Sequence, residues 1–115
     1  MEYVDFSWVK EFPAAITVTD PEGVILEMND KAALSLAGDG GRNLIGKNVL
    51  DCHPEAARSK LNELMEKRQT NIYTIEKNGL KKLIYQSPWY QNGLYAGFIE
   101  FSFEIPFDMP HHIKD

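Results

Sequence analysis

The single cysteine of the chain, Cys52, stands directly before His53, and a thiol beside an imidazole could act as a nucleophile with its base. Neighbouring residues seldom direct their side chains at each other, however, and no third group is evident that would orient the imidazole. We therefore interpret Cys52 as a small buried thiol and His53 as an imidazole at the start of a helix, and we predict no catalytic residue. A small α+β enzyme that uses Cys52 or His53 remains an alternative interpretation.

Metal binding and carboxylate chemistry have little support in the sequence. His111 and His112 are neighbours, but a metal site needs about three or four convergent ligands, so we interpret both as part of a solvated tail and expect no metal. Glu100 and Glu104 lie on the same face of a predicted strand, about 13 Å apart at ordinary strand geometry, which is too far for a shared proton. We interpret them as a solvated strand face.

Aromatic and polar side chains could instead form a pocket for a small molecule. Tyrosine hydroxyls and an indole N–H need partners when buried, and small-molecule sites combine apolar walls with a few polar anchors. We expect the aromatic residues of this set to line a sheet face toward the helices. The candidate ligand-binding residues are Met28, Val49, His53, Leu61, Tyr73, Tyr85, Ser87, Trp89 and Phe101. The same residue types would also form a filled core.

The composition is that of one soluble globular domain. The chain has 115 residues, of which 43% are hydrophobic and 25% charged, which is enough for one sizeable core. Its 12 basic and 17 acidic residues give a net charge of −5, which argues against nucleic acid and anionic membranes as partners. No apolar run approaches the roughly 20 residues that would span a membrane, so we expect a cytoplasmic protein.

The first residues have the spacing of a short amphipathic helix that ends at Pro13. Val4, Trp8 and Phe12 recur four residues apart and would form one apolar face. Such a face packs either on the core of its own domain or on a second copy, because exposed aromatic side chains need cover. Val4, Trp8 and Phe12 are therefore the predicted dimer interface.

The remaining elements alternate between strand and helix patterns. A hairpin of two strands is predicted at 15–28, a short helix at 31–37 and a longer helix that opens at Pro54 and ends near Lys67. From residue 70 onward, apolar residues recur with a period of two, and two Asn-Gly pairs, at 78–79 and 92–93, predict tight hairpins. Pro88 cannot donate to a strand ladder, so we expect a bulge or a sheet edge there.

This order of elements predicts an α+β fold with a five-stranded antiparallel sheet, helices packed on one face and an N-terminal amphipathic helix. Another five-stranded α+β architecture, of the profilin type, is the alternative.

Several of these segments resemble the PAS domain family. Residues 20–33 (DPEGVILEMNDKAA) are similar to the family's opening hairpin and following helix, and residues 44–47 (LIGK) are similar to its Leu-x-Gly-Lys stretch. Residues 87–88, 97–99 and 103–105 resemble its last two strands and their ending. The resemblance spans residues 14–105, and it implies a sensory or interaction module, often dimeric, with a pocket between sheet and helices.

Two cofactors known in the family are poorly matched by these residues. The light-sensing LOV branch forms a flavin–cysteine adduct in a motif that resembles Gly-x-Asn-Cys, but here Gly46-Lys47-Asn48 is followed by Val49. Haem-binding members carry a histidine on the longer helix, whereas His53 precedes that helix. The cofactor is therefore unknown, with none expected, and a haem sensor, before a flavin sensor, is the alternative.

The resemblance divides the chain into an N-terminal cap helix at 1–13, a PAS-like domain at 14–105 and a tail at 106–115. Family members usually continue through a helical linker into an effector, whereas Pro106 and a short tail follow here. We therefore expect a stand-alone bacterial-type regulator that forms a homodimer. It would bind a small ligand or a protein partner, and it would signal to that partner in trans without catalysis.

Overall fold

The computed structural model describes residues 7–115, with only the backbone described at Cys52. The strands are β1 (Ala15–Thr19), β2 (Ile25–Met28), β3 (Asn71–Lys77), β4 (Leu80–Gln91) and β5 (Leu94–Ile105). The α-helices are α1 (Asp30–Ser35) and α2 (Glu55–Lys67), and short 3-10 turns lie at Ser7–Val9, Ala37–Asp39, Gly41–Leu44 and Val49–Cys52.

The five strands form one antiparallel sheet in the order β2-β1-β5-β4-β3. Tight turns at Asn78-Gly79 and Asn92-Gly93 join β3 to β4 and β4 to β5, and all four residues have positive φ, as this kind of turn requires. The predicted α+β fold with a five-stranded antiparallel sheet is confirmed.

One row of directly opposed residues crosses the whole sheet, and opposed residues share a face. From edge to edge the row is Asn71, Gln86, Glu100, Thr17 and Met28. Met28 packs in a core cluster with Ala32 of α1, and Gln86 lines a cavity beside Leu61 of α2. The face that carries this row is therefore the one that the helices cover.

Asn29 fixes the start of α1 to the sheet. Its side-chain oxygen accepts hydrogen bonds from the backbone N–H groups of Ala32, at 3.1 Å, and Ile16, at 3.0 Å, so it caps the helix and satisfies a strand donor together. Its amide nitrogen donates to the carbonyl of Ala14 at 2.7 Å. Because Asn29 is fully buried, these bonds are needed to offset its desolvation.

The longer helix α2 packs through Leu61, Leu64 and Met65, which form a second core cluster with Phe98 of β5. The first turns of α2 are exposed, Ala57 included, and only Leu61, Leu64 and Met65 of this helix are buried. The helix ends at Arg68, which adopts the left-handed conformation that commonly terminates helices.

Pro88 lies where β4 has become a sheet edge. The pairing of β3 with β4 ends at Asn71 and Gln86, so beyond that point only β5 pairs with β4. The missing N–H of Pro88 therefore breaks no ladder, and a register shift follows between Trp89 and Tyr90. Both expectations for this position, an edge and an adjacent bulge, are met.

The predicted N-terminal helix is not found in the part of the segment that the structure describes. Residues 7–9 form a single 3-10 turn, with backbone bonds from Lys10 N to Ser7 O and from Phe12 N to Val9 O. A helix just before Pro13 has little room to propagate, because the residue before a proline avoids the helical conformation and short helices are marginal. The segment is instead held to α1, since Lys10 O accepts from the N–H of Asp30.

Candidate functional site

A small cavity lies between the sheet and the segment that leads into α2. Its volume is about 40 Å³. Its apolar walls are Val49, Leu61, Met65 and Phe98, and its polar lining is Thr17, Thr19, His53, Gln86 and Glu100. Ile99 borders it between Phe98 and Glu100, with its side chain on the opposite face of the sheet. The 3-10 turn at Val49–Cys52 and helix α2 supply one side, and strands β1, β4 and β5 supply the other.

The polar part of the lining includes a hydrogen-bonded chain that runs across three strands. The amide nitrogen of Gln86 donates to Oε1 of Glu100 at 2.8 Å, and the amide oxygen of Gln86 accepts from Nδ2 of Asn71 at 3.0 Å. Both ends of the buried Gln86 amide are therefore used. These two hydrogen bonds connect the cavity to Asn71, at the start of edge strand β3.

Thr19 contributes a hydroxyl that is already satisfied. It donates to the carbonyl of Phe98 at 3.3 Å and accepts from the N–H of Phe98 at 3.2 Å, and the side chain is buried. Thr17, directly opposite Glu100 on β1, forms no hydrogen bond through its hydroxyl with any described residue. The free polar groups of the cavity are therefore concentrated around Thr17 and Glu100.

His53 lines the cavity, and one of its two ring nitrogens already forms a hydrogen bond. Its Nδ1 lies 2.8 Å from the carbonyl oxygen of Val49. Because a carbonyl only accepts, Nδ1 carries the hydrogen and donates it, so in the neutral ring Nε2 is left as an acceptor. No orienting carboxylate contacts this ring within the described residues, as a nucleophile–base pair with Cys52 would require.

The residue Glu100 is half-buried, and no cation of residues 7–115 lies within 4.0 Å of its carboxylate. The pKa of Tyr73 is raised above the ordinary tyrosine value, chiefly by burial of the phenol. The negative charge of Glu100 is the second cause. The interpretation of Glu100 as part of a solvated face was wrong, because helix α2 lies over this part of β5. Glu104, farther along the same face, is exposed as expected.

The predicted pocket residues fall into separate groups. Val49, His53 and Leu61 line the cavity, whereas Met28, only 1% exposed, belongs to the neighbouring core cluster under α1. Tyr73 is on the covered face but 42% exposed, because β3 lies at the sheet edge.

The expectation that Tyr85, Ser87, Trp89 and Phe101 face the helices was wrong. Tyr85 lies opposite Phe101, and each immediately neighbours a member of the covered pair Gln86 and Glu100 along its strand. Because successive side chains point to opposite faces of a sheet, both rings lie on the outer face. Ser87 and Trp89 follow the same alternation, and Trp89 lines an outer groove of about 670 Å³ beside the N-terminal segment. Its indole N–H donates to the carbonyl of Thr19 at 3.0 Å. These four residues cannot line one cavity with Leu61.

Sequence reasoning missed Thr17, Gln86 and Glu100. Continuing the pairing of Gln91 with Leu94 without interruption would place Gln86 opposite Ile99. The register shift near Trp89 places it opposite Glu100 instead. Pro88 was the available signal, since it marked this point as a bulge or edge.

The cavity does not fit haem or flavin. Pockets for ligands of drug size measure about 300–1,000 Å³, whereas this cavity measures about 40 Å³. The fixed tautomer of His53 resembles that of a histidine ligand, but the space beside it is too small for a macrocycle. In the part of the chain that the structure describes, no three His, Cys, Asp or Glu side chains converge on a metal position.

No helix in residues 7–115 is both long and apolar enough to cross a membrane. Residues 9–78, more than half of the chain, match the sequence profile of a family described as the PAS fold. No curated protein is significantly similar in sequence.

Solved structures share the fold at low sequence identity. A C-terminal domain from Streptococcus mutans has a TM-score of 0.70 at 18% identity, covering 84% of this chain and 78% of that chain. The Aer2 receptor from Vibrio cholerae, described as a dual PAS-haem oxygen sensor, has a TM-score of 0.63 at 18% identity, covering 81% and 95%. The PAS domain of the histidine kinase ThkA has a TM-score of 0.61 at 23% identity, covering 77% and 96%. This likeness concerns the fold.

Proposed function

Because the chain belongs to the PAS family of sensory domains, we propose that it is a ligand-responsive signalling module without catalysis, and that its ligand binds between the sheet and α2. The observation that carries this proposal is the cavity itself, in which apolar walls surround a few polar groups. Its volume of about 40 Å³ admits only a ligand of a few heavy atoms.

The hydrogen bonds of the sheet would transmit the effect of ligand binding from the cavity to the protein surface. A ligand that contacts Glu100 would change the hydrogen bond to Gln86, and with it the bond from Asn71 on the edge strand. Close-packed sheets respond to such a change by shifting between discrete arrangements rather than deforming continuously. A protein partner in trans would then contact the outer face of the sheet and the edge of β3, where the change becomes accessible.

PAS domains commonly dimerise, and we propose that this chain forms a homodimer through its N-terminal segment. Trp8 is 61% exposed and Phe12 is 36% exposed, and their rings meet edge to face with centroids 5.9 Å apart. Two exposed aromatic rings beside a groove form the kind of apolar patch that a second copy covers. Val4, the third residue predicted for this interface, lies outside the described residues.

A haem-binding function is not proposed, because the cavity does not fit the group. Catalysis by Cys52 or His53 is not proposed either, since Nδ1 of His53 donates to the carbonyl of Val49 and no carboxylate among the described residues contacts the ring.

The proposed function is tested by thermal unfolding with a panel of very small amines, alcohols and carboxylates. A compound at ten times its Kd should stabilise the protein by about 1.4 kcal/mol, which is roughly 6 °C in Tm for a domain of this size. Val49→Phe fills the cavity and should abolish the shift. Val18→Phe makes the same change on the opposite face of β1, away from the cavity, and should preserve it. If no compound stabilises the wild type, or if both variants respond alike, the cavity is not the binding site.

A further inference from the structure

The carboxylate of Glu100 indicates the class of ligand. One of its oxygens accepts from Gln86, and the other has no hydrogen-bond partner among the residues that the structure describes. A carboxylate that has lost part of its hydration is stabilised by a nearby cation, and here the hydrogen bond from Gln86 compensates only one of the two oxygens. No Lys, Arg or His of residues 7–115 comes within 4.0 Å of this one. The cavity therefore contains a negative charge that a cationic ligand could complement.

The other polar groups of the cavity are mostly acceptors. With Nδ1 of His53 committed to the Val49 carbonyl, the neutral ring has only an acceptor to offer at Nε2. The Gln86 amide uses one of the two N–H donors of Nε2 on Glu100 and its oxygen on Asn71, so it adds one N–H donor to the cavity at most. Only the hydroxyl of Thr17 could either donate or accept. This surplus of acceptors favours a ligand that carries several N–H donors, and it disfavours an anion.

Size and the apolar walls restrict the ligand further. A buried water occupies at least about 10–15 Å³ on this measure, so about 40 Å³ corresponds to roughly three or four heavy atoms. Leu61, Met65 and Phe98 leave most of that space apolar. An ammonium group near Glu100 with a short alkyl chain against these walls would match both the charge and the shape of the cavity.

We infer that the cavity binds a small protonated primary amine, an alkylammonium ion of about one to three carbons, with Glu100 as its counter-ion. This inference rests on the proposed function and names its ligand class. The ammonium group donates to the free oxygen of Glu100, to the hydroxyl of Thr17 and to Nε2 of His53. The alkyl group packs against Leu61 and Met65.

Isothermal titration calorimetry with ethylammonium, ethanol and acetate tests the inference, because the three probes are close in size and differ in charge. At neutral pH and fixed ionic strength, ethylammonium should bind at least about tenfold more tightly than either of the others. Glu100→Gln keeps an acceptor for Gln86 and removes the charge, so it should weaken ethylammonium binding at least about tenfold. Glu104→Gln removes an exposed charge from the same face of β5 and should leave binding unchanged.

Thr17→Val provides a second variant if Glu100→Gln does not fold, and it should weaken ethylammonium binding by removing one acceptor. Binding of ethanol or acetate as tightly as ethylammonium would overturn the inference but leave the proposed function intact, provided that Val49→Phe abolishes it. Ethylammonium binding that survives both Glu100→Gln and Thr17→Val would overturn it too. If no probe binds and none of the panel stabilises the protein, the proposed function fails as well.

Discussion

Gln86 and Glu100 lie opposite each other on β4 and β5, and the amide of Gln86 donates to the carboxylate of Glu100 at 2.8 Å. The pair lies in the one row that crosses all five strands, on the face covered by the helices. It therefore connects the cavity to the sheet, which is the part of the fold that a partner protein can reach.

Removing the amide should destabilise the fold. In Gln86→Leu, Glu100 loses its donor and Asn71 loses its acceptor, and an unpaired buried polar group costs about 1–3 kcal/mol. Urea unfolding should show this loss in the free energy of unfolding. Gln91→Leu, at the exposed end of the same strand, should change it by less than about 0.5 kcal/mol. Equal effects of the two changes would show that the hydrogen-bonded chain contributes nothing to stability.

Gly97 permits the close approach of β5 to the end of β1. A Cβ atom at this position would lie 1.9 Å from the carbonyl oxygen of Thr19, and its φ of +135° is unfavourable for other residues. Gly97→Ala should therefore destabilise the protein by more than about 3 kcal/mol or prevent folding.

Gly93→Ala is the matched control, because that turn glycine has positive φ but open space around its Cβ position. It should cost only about 1–2 kcal/mol, which is the penalty of the left-handed conformation alone. Equal costs for both substitutions, measured by denaturant unfolding, would contradict the steric account.

Asp30 should make stability depend on pH at acidic values. Its pKa lies below the ordinary 3.8, chiefly because Lys10 donates to its carboxylate and, after that, because Arg42 does. A lowered folded-state pKa gives a stabilisation that is complete above the unfolded pKa and is lost as pH falls through the folded value. Asp30→Asn should therefore be less stable than the wild type at pH 7, and the difference should shrink as pH falls below about 3.8 and disappear below the folded-state pKa.

Thermal unfolding of both proteins between pH 2 and pH 7 measures this difference. Asp39→Asn controls for a general charge effect, since Asp39 forms no ion pair within the described residues. A gap between wild type and Asp30→Asn that persists unchanged to pH 2 would contradict the assignment.

The exposed ring of Trp8 should contribute to self-association. Trp8→Glu places a charge in the proposed contact, and sedimentation velocity should then show a shift from dimer to monomer. Leu80→Glu introduces the same charge at an exposed position at the start of β4, away from this segment, and the dimer should persist. A dimer that persists in Trp8→Glu would exclude this ring from the interface.

The sequence was sufficient to predict the strands because its turns are strongly specified. Asn78 and Asn92 each precede a glycine, and both adopt the positive φ that fixes a tight hairpin. The alternation along β5 also placed Glu100 and Glu104 on the same face correctly.

The sequence did not predict which face the helices cover, because both faces of β4 and β5 carry apolar side chains. Alternation then fixes which residues share a face, but not which of the two is buried. Tyr85 and Phe101 were therefore assigned to the wrong side, and Glu100 was assigned to solvent. Within residues 7–12 the predicted helix is replaced by a single 3-10 turn, because apolar spacing indicates amphipathicity and not the length that a helix needs before a proline.

The most direct test of the central claim is methionine-methyl NMR during a titration with ethylammonium. Met65 lines the cavity, whereas Met109 lies exposed in the segment after β5 and serves as an internal control. We predict a saturable shift of the Met65 methyl resonance with no shift at Met109. An unmoved Met65 resonance, or equal and non-saturating shifts at both residues, would contradict ligand binding in the cavity.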